Sequence, residues 1–377
     1  MLNRYAMIMV TSLLMFPQIS ETMYSPTLPS ISEHFLVTAQ DAAQTLSVYF
    51  IGFAIGVLFW GRISDVYGRK PALLAGLGIY MSGCILALLV RDFSMLLVAR
   101  VFTAFGAATG SVVTQTILRD CFREHELTRI FSIISIALAI SPAVGVFSGG
   151  ILTSLWGYWG VFIGLAVLAI LMLAGSFVII PETLPDRRSN ISISAVIQRM
   201  VRDKKIWLAA ILVGCFNISL FSYYSLAPFI FARLDLNAKT FGYSGIALAA
   251  GSLIGSNFSR WLHNNGTRKE WTLTFALFLN VLGSIGVLCA GISLVLLIPM
   301  ALVAMSFTMA IPVLLGSALS GYAECRGTAG ALFGLCYYVI IALGLLLSGW
   351  VQELGLALMV SSIISGIAIW LYLPQLD

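Results

Sequence analysis

Charge is what this chain mostly lacks. Only 10% of its 377 residues are Asp, Glu, Lys or Arg, against 59% hydrophobic residues, where a soluble domain carries about 25% charge. With a mean hydropathy of +0.98, that shortage excludes a water-soluble globular fold and leaves an all-α integral membrane protein. Histidine is scarce too. His34, His125 and His263 are scattered through loops and no cysteine pair has ligand spacing, so neither a metal nor another cofactor is expected. The six cysteines, at 84, 121, 215, 289, 325 and 336, lie in apolar runs or in loops read as cytoplasmic, which argues against a disulfide framework. A membrane enzyme would gather catalytic groups near one interface, and none gather here, so the chain is not read as an enzyme. The net charge of +5 does not point to nucleic acid either, because the basic residues fall in short loops between apolar runs.

What is abundant is membrane-length apolar sequence. Crossing a bilayer takes about 20 residues at 1.5 Å rise, and twelve runs qualify: roughly 6–30, 43–60, 71–90, 94–118, 130–153, 158–180, 206–231, 242–262, 271–291, 294–316, 328–350 and 354–374. No small-residue cleavage pattern follows the first run, so it reads as a span and not a signal peptide. The longest non-apolar interval, 181–205, divides the chain into an N-terminal bundle over 1–180 and a C-terminal bundle over 206–377. Of the 21 Lys and Arg residues, Arg100 lies inside a span and only Arg91, Arg233 and Lys239 fall in one set of loops; the other seventeen share the opposite side. That bias places both termini in the cytoplasm and suits a multi-pass protein of the inner membrane. A monomer surrounded by the lipid bilayer is expected.

The sharpest local signal is Gly61-Arg62-Ile63-Ser64-Asp65-Val66-Tyr67-Gly68-Arg69-Lys70, a charged turn between spans 2 and 3. Its glycines suit a tight connection, its bases anchor helix ends, and Asp65 is an acid placed to pair with a base or cap a helix. Gly61, Asp65, Gly68, Arg69 and Lys70 resemble the loop between helices 2 and 3 of the major facilitator superfamily. That resemblance implies a secondary transporter of two six-helix halves working by alternating access, with these residues as a conformational latch. The loop between spans 8 and 9 holds a worn copy in Gly266, Arg268 and Lys269, without the acid.

Two ionisable residues lie deep in spans: Glu21 in span 1 and Arg100 in span 4. Burying either costs about 2.5–3.5 kcal/mol on insertion scales, which makes them functional candidates. Glu21 is ~22 Å from the inner start of its span and Arg100 ~9 Å from the outer start of its own, nearly the same depth in a ~30 Å core. They are therefore expected to interact directly, through water or through substrate. A carboxylate beside a fixed guanidinium stays ionised, while desolvation opposes ionisation as a cavity closes, so the pair could load and release a proton.

Span 1 carries Pro17, Pro26 and Pro29 with several hydroxyls, the composition of a broken, cavity-lining helix. Its Met23-Tyr24-Ser25-Pro26 and Leu28-Pro29 resemble helix 1 of the drug:proton antiporters, most closely the bicyclomycin- and chloramphenicol-resistance branch. That branch carries an acid directly before Met-Tyr; here Thr22 stands there and Glu21 one residue earlier. Arg100, followed six residues later by Gly106, resembles the branch's helix 4, whose Arg takes part in proton coupling. Ser141-Pro142-Ala143-Val144-Gly145-Val146-Phe147-Ser148-Gly149-Gly150 resembles its helix-5 antiporter motif at Gly145, Gly149 and Gly150, with Val146 in place of a proline. Small residues there let helices approach and seal one side of the cavity.

The resemblance implies a proton-coupled exporter of small amphipathic compounds. Gln18, Tyr24, Phe102, Asn217, Phe221, Tyr224, Met305, Met309 and Tyr337 are the candidate cavity wall, since aromatic and methionine side chains accommodate varied ligands. Two other cargoes fit the same residues: Arg100 could hold the carboxylate of a metallophore or amino-acid derivative, and a symporter could import it.

Overall fold

A computed structural model describes residues 4–122, 124–184 and 193–375. Arg123 and residues 185–192 of the expected linker, including Arg187 and Arg188, lie outside the described residues. Among these, all regular structure is helical. Helix α1 (Arg4–Tyr24) passes through a short 3₁₀ turn into α2 (Leu28–Phe35), so span 1 is broken where its prolines predict. Then come α3 (Ala39–Tyr67), α4 (Arg69–Leu89), α5 (Phe93–Cys121) and α6 (Glu124–Ile179). α6 is two limbs that meet at non-helical Trp156 and Gly157, where the sequence placed the gap between spans 5 and 6. A short α7 (Ile193–Arg202) leads to α8 (Lys204–Arg233), α9 (Ala238–Asn264), α10 (Lys269–Ala290), α11 (Leu297–Ala318), α12 (Arg326–Val351) and α13 (Leu354–Tyr372).

Each expected span thus falls on a helix. Nine segments among the described residues are long and apolar enough to cross a membrane, Ile136–Ile179 holding both limbs of α6. Helices α1 and α9 do not reach that standard although they run 21 and 27 residues. Their hydroxyls and small residues face other helices, where a hydrocarbon-like surface is not required.

Short connections are closed by local chemistry. Thr38 and Asp41 cap each other's backbone at the start of α3, Asp92 accepts from Met95 N at 2.9 Å at the start of α5, and Asn237 from Thr240 N at 2.9 Å at the start of α9. Such caps satisfy helix-end N–H groups that lipid could not. Left-handed turns recur six helices apart: Leu36 and Asp235, Gly68 and Gly266, Gly157 and Gln352 all have positive φ.

The turn expected over residues 61–70 shrinks to one residue. Helix α3 continues to Tyr67 and α4 starts at Arg69, so only Gly68, at φ +110°, is non-helical. The reason is that Arg62, Ser64 and Asp65 are compatible with a helix that has left the hydrocarbon; only the reversal itself demands a residue without Cβ.

Helix α5 lies centrally against α1, α3 and α4, α1 packs on α6, and α8 packs on α11, α12 and α13. The two most extensive contacts between these groups run α3 along α12 and α6 along α9. Large apolar side chains such as Ile51, Phe177, Trp271 and Trp370 remain exposed on the outside, as a lipid-facing belt requires.

Candidate functional site

Helix α5 turns a small-residue face inward, with Ala99, Thr103, Ala104, Gly106 and Ala107 fully buried, and Arg100 sits on it. Close packing by these residues gives a long side chain room to reach the bundle interior. Arg100 is 0% exposed. Its guanidinium carbon lies 3.8 Å from the Tyr24 ring centroid and 4.4 Å from that of Tyr49, and among the described residues none of its three nitrogens has a hydrogen-bond partner. Desolvated cation–π contacts are worth about 2 kcal/mol each, so two rings roughly offset the ~2.5–3.5 kcal/mol insertion cost of an arginine. The cation can therefore persist here without an ion pair, its N–H groups left for something else.

Glu21 is 4% exposed and its Oε1 likewise lacks a hydrogen-bond partner among the described residues. The two charges interact through space without a direct ion pair. The field of Glu21 also reaches Tyr49 on α3, Tyr224 on α8 and Tyr338 on α12. So the carboxyl lies at the meeting of both helix groups, not toward lipid. Beside it, Ser20 and the Tyr80 hydroxyl share a 2.5 Å hydrogen bond, and Ser141 on α6 donates to Gln18 Oε1 at 2.6 Å.

The wall facing this pair is aromatic. Phe50 meets Phe221 at 5.0 Å between ring centroids and stacks on Tyr338 at 6.2 Å; Phe53 meets Tyr338 at 4.8 Å, and Phe221 meets Tyr224 at 5.7 Å. Tyr337 packs on Phe333 and Tyr338. Asn217 and Met305 are half-buried, and the Asn217 amide donates to Val213 O at 2.7 Å. One expected wall residue is corrected. Phe102 is 46% exposed on the outer flank of α5, because two helical residues turn it about 200° from Arg100. Met309 is buried in the core that joins α8, α10, α11, α12 and α13, with Met305 and Tyr337 packed against it. Tyr49, Tyr80, Phe50, Phe53 and Tyr338 were not among the expected site residues. The run Tyr49, Phe50, Phe53 on one helix flank was the available signal.

At the basic end of the bundle, Arg69 forms ion pairs with Asp65 and, through Nε at 2.9 Å, with Asp120 at the end of α5. Its side chain is 7% exposed, so it is a buried link and not the solvated helix anchor the turn suggested. Glu182, just past α6, completes the knot. Its Oε1 accepts from Arg69 N, Thr183 N and Leu184 N, each at 2.9 Å, and its Oε2 from Lys70 N at 3.1 Å. Burial pushes this carboxyl up, but four backbone N–H donors outweigh it and hold it below the ordinary carboxylate range. A Cβ at Gly68 would collide with that carboxylate, one on Gly61 would stand 3.8 Å from Ala331 Cβ of α12, and Lys70 Nζ sits 5.5 Å over the Phe177 ring. Neither Asp120 nor Glu182 was expected from the sequence, although both follow directly on span ends.

At the opposite end the helix-5 glycines do what small residues allow. A Cβ on Gly145 would stand 2.7 Å from Ile19 O, one on Gly149 would collide with the Met23 backbone, and one on Gly150 would stand 2.6 Å from Ala238 O. The first two admit α1, the third α9. Val146, where the motif's proline is missing, is buried facing Gly242 and Gly245. Above this contact, Ser25 donates to the Tyr224 carbonyl of α8. That carbonyl is free because Pro228, four residues on, has no N–H to give it. An open cleft of ≈ 200 Å³ lies outside, lined by Pro26, Glu33, Thr153, Pro228 and Asn237 among others.

The family pattern described as Major Facilitator Superfamily matches residues 10–345. A Rickettsia bellii protein described as an uncharacterized transporter is 32% identical over 352 residues, 89% of this chain and 87% of that one. A bicyclomycin resistance protein homolog of Haemophilus influenzae is 24% identical over 347 residues, 87% of this chain and 85% of that one. Among solved structures, the POT family transporter PepTSo matches with a TM-score of 0.78 at 12% identity, covering 98% of each chain; this likeness concerns the fold alone.

Proposed function

Because this chain belongs to the Major Facilitator Superfamily, we propose that it is a secondary transporter exporting small amphipathic compounds in exchange for protons. The observation that carries the reading is the buried, unpaired Glu21 beside a buried Arg100 with free N–H groups, at the meeting of the two helix groups. A carboxyl placed there changes its charge with the solvation of the cavity, so opening to either side couples a proton to the conformational step. Arg100 tunes the carboxyl, and the aromatic wall of Phe50, Phe53, Phe221, Tyr224 and Tyr338 takes the apolar body of the cargo. Residues 1–180 and 206–377 act as the two halves, joined by 181–205; the recurrent turns six helices apart support that division. The chain crosses the inner membrane twelve times with the basic end in the cytoplasm. The glycine contact of α6 with α9 and the Ser25–Tyr224 hydrogen bond close the outer side.

The unpartnered guanidinium favours one second reading, in which Arg100 holds a carboxylate of the cargo. The experiment separates the two. Purified protein in proteoliposomes with an imposed pH gradient is given lipophilic cations or amphipathic carboxylates, and proton movement is followed by an internal dye. Exchange predicts proton flux opposite to a cation cargo, abolished by Glu21→Gln. A Glu21→Gln variant that still moves protons with cargo refutes the carboxyl's role; flux in the same direction as a carboxylate cargo, lost in Arg100→Gln, replaces the first reading by the second.

A further inference from the structure

The helix α7, which the transport cycle above does not use, is built to lie on a membrane surface. Its apolar residues Val196, Ile197, Met200 and Val201 fall on one continuous arc at about 100° per residue, with Gln198, Arg199 and Arg202 opposite. The arc is shared between two surroundings. Val196 and Met200 are 5% and 4% exposed and belong to the core that includes Ile206, Ala209 and Ala210 of α8. Ile197 and Val201, the next residues around the helix, are 41% and 59% exposed. Protein covers one edge of the apolar face and leaves the other bare.

What lies beside the bare edge is the lipid-facing surface. Trp207, itself 41% exposed at the start of α8, donates its indole N–H to Val201 O at 3.1 Å. On the neighbouring α13, Trp370 is 75% exposed two residues before the helix ends. Indole rings at the ends of spanning helices mark the headgroup level, so Ile197 and Val201 are held at that level, continuous with the lipid belt. The charges around them are sorted. Arg199 is tied to Gly321 O at 2.8 Å and lies over Tyr322, Lys205 reaches Ser320, and Asp203 caps Lys205 N while accepting the Tyr322 hydroxyl. Arg202 and Lys204 are exposed and, among the described residues, have no hydrogen-bond or ion-pair partner.

We infer that α7 is an anionic-phospholipid docking surface, Ile197 and Val201 entering the acyl boundary while Arg202 and Lys204 hold the headgroup phosphate. The occupant is a lipid and not a free anion, because the cations flank an exposed apolar edge that only an amphipathic partner covers. The inference is independent of the cargo and of proton coupling. It means the segment joining the two halves is fastened to the bilayer, where anionic lipid content can bear on their movement.

The test is lipid binding to the full-length chain, delipidated in detergent and titrated with phosphatidylglycerol or phosphatidylcholine, read by native mass spectrometry. The wild-type protein should prefer phosphatidylglycerol. Each exposed cation near an anionic surface contributes about fivefold in affinity, so Arg202→Ala/Lys204→Ala should lose roughly thirtyfold for phosphatidylglycerol and little for phosphatidylcholine. Ile197→Ser/Val201→Ser should weaken both lipids. An Arg260→Ala/Lys269→Ala control on another basic loop should keep its affinity, with unchanged thermal midpoints showing all variants folded. Equal phosphatidylglycerol affinity in the Arg202/Lys204 variant, an equal loss in the control, or full displacement of the lipid by inorganic phosphate would each overturn the assignment.

Discussion

Arg69 has two acidic partners, and the structure says they are not equivalent. The Asp65 side chain is 56% exposed, whereas that of Asp120 is 13% exposed, against 7% for Arg69. An ion pair with one partner in water is worth about 0–1 kcal/mol. Removing the partner of a buried charge costs about 3–5 kcal/mol when nothing else remains. Asp65 remains here and the site is at the bundle's edge, so Asp120→Asn should cost ~2 kcal/mol and Asp65→Asn under ~1 kcal/mol. The measurement is a pair of double-mutant cycles against Arg69→Gln, read from unfolding of the purified protein in mild detergent. Coupling of ~2 kcal/mol is expected for Arg69 with Asp120, and less than half of that for Arg69 with Asp65. In thermal unfolding the single variants should drop by roughly 3 °C and under 2 °C. If Asp65→Asn costs as much as Asp120→Asn, burial is not what ranks these carboxylates and the reasoning fails.

Three further outcomes follow from the same geometry. Gly149→Ala places a methyl against the Met23 backbone, which cannot swing aside; it should cost about 1–3 kcal/mol and more in transport rate than Ala143→Gly, and a fully active, fully stable variant would contradict the close approach of α1 and α6. Ser25→Ala leaves the Tyr224 carbonyl without its donor, whereas in a Pro228→Ala background the helix supplies its own N–H; alkylation of cysteines introduced near Thr153 should therefore rise in the first variant and change less on adding Ser25→Ala to the second. Glu182 has a lowered pKa in the folded protein, so its cap is fully present above the ordinary carboxylate value and disappears as pH falls through the lowered folded one. The stability gap between wild type and Glu182→Gln should be constant from about pH 8 to 5 and close only in stronger acid; a gap that closes near pH 7 would show that the carboxylate is not held by those N–H groups.

Part of the candidate site could be read along the chain. Depth along two helices brought Glu21 and Arg100 to one level, and both prove buried within reach of each other's field. The rotation of a helix would also have excluded Phe102, which shares a span with Arg100 but points the other way. Tyr49 was harder to foresee, since an aromatic residue in a span is as often a lipid or packing contact as the wall of a charged pocket. Asp120 and Glu182 were harder still, because their partner Arg69 is 51 and 113 residues distant.

Membrane class, helix positions and charge asymmetry are settled by local composition. Each span is selected by its own transfer free energy and each loop by its own charge, whatever the other helices do. Which carboxylate answers Arg69, which rings enclose Arg100 and which face of α7 stays bare depend on helices meeting that are far apart in the chain. Burial is a property of that meeting, and burial separates a solvated charge from one that holds helices together.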